Sequence, residues 1–152
     1  MTALPPDDTA ELAARLRMSI ARMARFLRQQ DQGGLPQGQT SALATIVKCG
    51  PMTLGDVAAR ERIAPPSVTK AIEQLVGRGL VSRSADPTDR RVALVEATAA
   101  GHRFLEDNRA RRSEWLAHQL EQLEPTEIGQ LGALLDVLEH LVDVASTEDL
   151  VR

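Results

Sequence analysis

Two arginines, Arg90 and Arg91, stand side by side in RSADPTDRRVAL, residues 83–94. Arg83 opens the stretch, and Asp86, Pro87 and Asp89 lie between. Aspartate and proline shape turns, but a turn has no use for paired guanidinium groups. Guanidinium is planar and weakly hydrated, so it loses less than an ammonium on entering a groove of nucleic acid. A narrow minor groove concentrates negative potential and attracts inserted Arg. An aspartate beside Arg90 opposes binding to a polyanion unless its carboxylate anchors an Arg or a turn amide. That role is expected of Asp89, while Asp86 reads as turn chemistry alone.

A second group of polar side chains stands upstream, in PPSVTKAIEQLVGR, residues 65–78. Val68, Ile72, Leu75 and Val76 follow an i, i+4, i+7, i+8 pattern and define one buried face of a helix. At about 100° per residue the opposite face carries Pro66, Lys70, Glu73 and Gln74, with Ser67 on its flank. Ser67 and Thr69 can bond bases or phosphates, Gln74 can pair with adenine, and Lys70 with guanine or phosphate. A merely solvated polar face would look similar; the basic turn directly after it favours a shared anionic partner.

Other chemistries find little support. No phosphate-binding glycine loop, nucleophile elbow or HExxH occurs. His102, His118 and His140 are too widely spaced for a ligand pattern, so no metal or cofactor is expected. The single cysteine, Cys49, forms no internal disulfide and reads as a structural thiol. The chain is not expected to be an enzyme. Hydrophobic residues at 43% and charged residues at 26% describe a globular protein. The acidic, Pro-containing start MTALPPDDTAE is unlike a signal peptide, and no apolar run reaches membrane-spanning length, so the cytoplasm is the expected location.

Net charge is −3, yet it is unevenly spread. Residues 60–91 hold seven basic and four acidic side chains, whereas residues 92–152 hold five basic and twelve acidic. A basic island in an acidic chain points to a local anionic partner.

The elements that must position these groups follow from the pattern. Residues 8–31 read as a helix with Leu12, Leu16, Met23 and Leu27 near one face, broken by DQGGLPQG. A helix over Thr40–Lys48 follows, then a short one, TLGDVAARE, with Thr53 as N-cap. Prolines 65 and 66 suit the first turn of the next helix, and Gly79 suits its left-handed end. LVSRS and RVALVEA predict two strands around the basic turn. Thr98 caps a long helix through Leu123, and Pro125 opens another. In that last helix Ile128, Leu131, Leu135, Leu138 and Val142 repeat every 3.5 residues, the seam of paired helices, widened by Leu134 and Leu141.

Helix, break, helix and charged hairpin together describe a winged helix-turn-helix, whose second helix enters the major groove. The fold expected is mainly α with a small β-hairpin wing. A winged helix-turn-helix lobe over residues 36–97 would join a helical dimerisation region made of residues 1–35 and 98–152. A helical protein-interaction module without DNA binding is the competing reading; it explains the terminal helices but leaves Arg90 and Arg91 without a purpose. RNA is disfavoured because stacking aromatics are scarce: Phe26, Phe104 and Trp115 only.

Residues 67–101 also resemble the MarR family of bacterial transcriptional regulators. The resemblance rests on Ser67, Val68, Thr69, Lys70, Leu75, Gly79, Leu80, Val81, Arg83, Asp86, Asp89, Arg90, Arg91, Thr98 and Gly101. It implies an obligate homodimer joined by its N- and C-terminal helices. It also implies repression at an inverted-repeat operator in double-stranded DNA, and release by a small phenolic or anionic ligand. The DNA-binding residues would be Pro66, Ser67, Thr69, Lys70, Gln74, Arg83, Asp89, Arg90 and Arg91. A ligand pocket is expected where residues 18–26 and the start of the Thr98 helix approach the DNA-binding lobe. Ala97 departs from the Leu that the family often has there, and the lack of Tyr argues against a heavily aromatic pocket.

Overall fold

The computed structural model describes residues 6–31 and 34–149. Among the described residues six helices and three short strands follow one another: α1 (Pro6–Gln29), α2 (Gln37–Cys49), β1 (Met52–Thr53), α3 (Leu54–Glu61), α4 (Pro65–Gly77), β2 (Val81–Ala85), β3 (Ala93–Ala97), α5 (Ala99–Leu120) and α6 (Pro125–Asp149). Two compact units meet within α5, the first running to Arg112 and the second starting at Ser113.

In the first unit the core is small and aliphatic. Leu43 and Ile46 of α2, Val57 of α3, Val68, Ile72 and Leu75 of α4, Val81 of β2 and Val95 of β3 are all almost fully buried. Val76, expected on the buried face of α4, is 36% exposed. At the helical step it lies about 80° round from Val68, on the shoulder of the stripe rather than its centre.

The sheet has a third strand that the sequence pattern did not suggest. β3 is central, paired antiparallel with β2 on one side and β1 on the other. Met52 faces Val95 and Thr53 faces Leu94. A two-residue strand is too short to display an alternating pattern. Thr53 then caps α3: its Oγ1 accepts from Asp56 N at 3.1 Å, and Asp56 Oδ2 accepts from Thr53 N at 3.1 Å, a reciprocal capping box.

One junction fixes the end of α4, the start of the hairpin and the start of α5. Gly79 has φ of +69°, the left-handed region. Leu80 N donates to Leu75 O at 3.0 Å and Gly79 N to Val76 O at 2.9 Å, the paired bonds of a Schellman end. The Leu80 carbonyl then accepts from Thr98 N at 3.0 Å. Thr98 Oγ1 donates to Gly79 O at 2.6 Å and accepts from Gly101 N at 3.1 Å, so one hydroxyl caps α5 and holds α4. Gly101 is buried against this knot. A Cβ there would lie 2.2 Å from Leu80 O and 3.2 Å from Leu43 Cδ1. Ala97, one residue before Thr98, packs partly buried against the core.

In the second unit, α6 opens as expected at Pro125, with Glu127 Oε2 accepting from Glu124 N at 3.0 Å. Its apolar seam is largely uncovered within the chain: Ile128, Leu135 and Val142 are exposed, as are Leu134 and Leu141. α1 likewise exposes Leu12, Met18, Ile20, Met23 and Phe26.

The junction yields a direct test. Gly101→Ala adds helix propensity worth about 1 kcal/mol but drives a methyl into a backbone carbonyl, where overpacking costs about 1–3 kcal/mol or more. Net destabilisation is expected in urea or thermal unfolding, and equal or higher stability would contradict the close approach.

Candidate nucleic-acid interface

α4 begins with Ala64 in an extended conformation, Pro65 and Pro66 in the first turn, and no acidic residue there. Fixed φ at the prolines favours a helix start, and the missing acid leaves the positive end of the helix dipole unneutralised. Pro66, Ser67, Lys70, Glu73 and Gln74 are exposed, and Thr69 is half-buried. Thr69 Oγ1 donates to Pro65 O at 3.1 Å, so its proton is already engaged within the helix. Gln74 is also engaged: its Oε1 accepts from Nε2 of Gln39 on α2.

Gln39 was not singled out from the sequence, though the signal was present. It stands three and four residues before Ala42 and Leu43 and seven before Ile46, on the buried stripe of α2. A glutamine on such a stripe needs a hydrogen-bond partner.

The hairpin β2–β3 carries Arg83 on β2 and Arg90 and Arg91 in the loop, all exposed. Asp86 N donates to Val92 O and Val92 N to Asp89 O, both at 2.9 Å, closing the loop. Within it Asp86 Oδ1 accepts from Thr88 N at 2.7 Å, Thr88 Oγ1 at 2.5 Å and Asp89 N at 3.2 Å. Those bonds, the Thr88 hydroxyl first, hold the Asp86 carboxyl below its ordinary range. Asp89 Oδ1 accepts from Arg91 N at 3.0 Å. Both acids are therefore tied to the turn itself, as expected of Asp86. For Asp89 the partner is a turn amide. Among the described residues no acid pairs with the guanidinium of Arg90 or Arg91. The loop thus presents cationic heads on a frame stiffened by carboxylates.

A cavity of about 570 Å³ is lined by the end of α1 and the residues after it (Leu27, Arg28, Asp31), by Leu35, by Thr40, Ser41 and Ala44 of α2, and by Arg112 of α5. Arg112 Nε donates to Asp31 Oδ1 at 2.7 Å and its second arm pairs with Asp31 Oδ2. The Asp31 hydrogen bonds raise the Arg112 pKa further, although partial burial opposes them. Of residues 18–26 only Ala24 reaches the cavity, and α5 contributes Arg112, three turns beyond its start. The Asp31–Arg112 pair joins residues 81 apart and ties the segment after α1 to α5.

Cys49 is exposed at the last turn of α2. Among the described residues no group of three His, Cys, Asp or Glu could hold a metal, and no helix is long and apolar enough to cross a membrane.

Residues 35–93 match the sequence profile of the MarR family. An uncharacterized HTH-type transcriptional regulator of Mycobacterium bovis is 37% identical over 138 residues, covering 90% of this chain and 96% of that protein. The crystal structure of a transcriptional regulator from Pseudomonas aeruginosa superposes with a TM-score of 0.81 at 31% identity, covering 91% of this chain and 98% of that one. A MepR variant of Staphylococcus aureus, bound to an oligodeoxyribonucleotide, shares the fold with a TM-score of 0.69 at 23% identity over 86% of this chain and 97% of its own.

The wing separates two roles by mutation. Arg90→Ala should weaken binding to any duplex and reduce the salt slope by about one counterion. Asp89→Ala removes a negative charge yet should also weaken binding, because the Arg91 amide loses its acceptor. Fluorescence anisotropy across salt reads both. Wild-type affinity for Arg90→Ala on all duplexes would remove the wing from the interface, and tighter binding by Asp89→Ala would make Asp89 a mere repulsive charge.

Proposed function

The chain belongs to the MarR family of transcriptional regulators, and on that premise we propose that it is a homodimeric repressor that reads an inverted repeat with α4 and the wing and is released by a small ligand. That it is a DNA-binding transcription regulator follows from the family; dimer, operator symmetry, residue roles and ligand are our reading. The observation that carries it is the pairing of two surfaces. Lys70 and Gln74 are exposed on α4, and Arg83, Arg90 and Arg91 are exposed on the hairpin that the Leu80 junction holds next to it.

Base contacts in the major groove specify, and phosphate or minor-groove contacts mainly position. On this reading Ser67, Thr69, Lys70 and Gln74 face base edges and nearby phosphates, with Pro66 at the entry of the helix. Arg83, Arg90 and Arg91 grip the backbone and the adjacent minor groove, and Asp89 holds the turn. Residues 36–97 form the DNA-binding lobe. Residues 1–35 and 98–152 form the dimerisation region, where the exposed apolar faces of α1 and α6 supply what a partner copy would cover. A protein of this kind works in the cytoplasm, where the bacterial chromosome lies.

The cavity beside Arg112 is the proposed ligand site. A carboxylate or phenolate of a small molecule is the chemistry that competes with Asp31 for the guanidinium fork. Such a ligand releases DNA only if it binds the free conformation better than the bound one.

A two-fold dimer reads half-sites whose centres lie roughly 34 Å apart, one turn of the duplex. Inserting ~5 bp between the half-sites turns them to opposite faces of the DNA. Affinity should then fall to the level seen on random duplex, and unchanged affinity would contradict the dimeric reading. Repeating the titration with small phenolic and anionic compounds should reveal one that weakens binding by wild type and not by Arg112→Gln. No effect across a broad set would leave a constitutive binder.

A further inference from the structure

One contact ties the exposed face of α4 to the interior of the lobe. Gln39, in the first turn of α2, is only 8% exposed, and its stem lies on the stripe of Ala42, Leu43 and Ile46 that packs into the core. Its Nε2 donates to Oε1 of Gln74, 35 residues away on α4. Gln74 itself is exposed. An unrestrained glutamine on a helix surface turns freely about its last torsion and offers either end of its amide, donor or acceptor. This one is not unrestrained. Its carbonyl oxygen accepts from Gln39 Nε2, and in that arrangement the NH2 end is the one left to face outward.

We propose that Gln39 is a positioning residue that fixes the amide of Gln74 as a hydrogen-bond donor toward the DNA. Gln74 then discriminates among bases by their acceptors. Guanine N7 and O6, adenine N7 and thymine O4 are accepted in the major groove; cytosine, which presents its N4 donor there, is refused. The two-pronged pairing with adenine that a free glutamine offers needs the carbonyl end, and in this chain that end points to Gln39. The inference rests on α4 being the recognition helix. It adds to that reading that the base preference at one position of the half-site is set by a residue beneath the interface.

The experiment uses the full-length protein and a duplex selected by it, with every single-base substitution across one half-site and a random duplex for reference. Thermal unfolding monitors the fold of each variant. Gln74→Ala should flatten the preference at one position, by roughly tenfold on the scale of one good base contact. Gln39→Met keeps the length of the side chain without its hydrogen bond. It should blunt the preference at that same position several-fold while leaving affinity for random duplex unchanged. Gln39→Glu has no donor when ionised, so it can only accept from the Gln74 NH2. That turns the Gln74 carbonyl outward and should move the preference at that position toward cytosine and adenine, the bases with amino donors. A merely structural role for Gln39 would lower stability or overall affinity and would not redirect base choice.

Wild-type base profiles for both Gln39 variants, with the profile of Gln74→Ala flattened, would overturn the inference and leave the recognition helix standing. An unchanged profile for Gln74→Ala would overturn both at this residue. Should Gln39→Met fail to fold, Gln39→Glu, which retains a polar head, decides the matter alone by whether the preference moves.

Discussion

The carbonyl of Leu80 is the point on which the DNA-binding lobe turns. Its residue's own N–H closes the end of α4 on Leu75, its oxygen receives Thr98 N, and Gly101 packs so near that no side chain fits between. Three elements are thereby fixed at one place: the end of the recognition helix, the first strand of the wing, and the start of α5. A wing swung away from α4 would still carry Arg90 and Arg91 but would not present them to the same stretch of duplex. Left-handed Gly79 allows the sharp exit, and the Thr98 hydroxyl holds the two helices together while capping the second.

Charge is handled locally rather than globally. A net charge of −3 repels a polyanion at a distance, and screening confines that repulsion to about a Debye length of ~8–10 Å at physiological salt. Close to the surface the wing dominates. Asp86 and Asp89 would oppose binding if they faced the phosphates, but their Oδ1 atoms are engaged by amides of the turn and by the Thr88 hydroxyl.

What could be read from the sequence was chemistry local to a few residues. Thr53 as a cap, prolines 65 and 66 in a first turn, Gly79 as a left-handed end, Thr98 as a cap and Asp86 as a turn residue each announce themselves within four positions, and the structure has each. What escaped depends on residues far apart or on elements too short to show a period. β1 exists only because Met52 and Thr53 find Val95 and Leu94 on β3. Arg62, with φ of +53°, ends α3 in a conformation usually left to Gly or Asn. The Gln39–Gln74 bond and the Asp31–Arg112 pair cross 35 and 81 residues. Of the candidate site, the two elements that carry it were legible; the partner of Gln74 was not, because it stands 35 residues away on α2.

The most direct test of the whole account places a cutting reagent on the wing. With Cys49→Ser removing the native thiol, Pro87→Cys puts a single attachment point on the exposed loop tip for an iron chelate that generates hydroxyl radicals. On a duplex bound by the protein, strand scission should appear as two clusters, each centred on a minor groove beside one half-site and related by the dyad of the repeat. Scission spread evenly along the duplex, or absent although the protein is bound, would contradict a dimer that sets α4 in the major groove with its wing alongside.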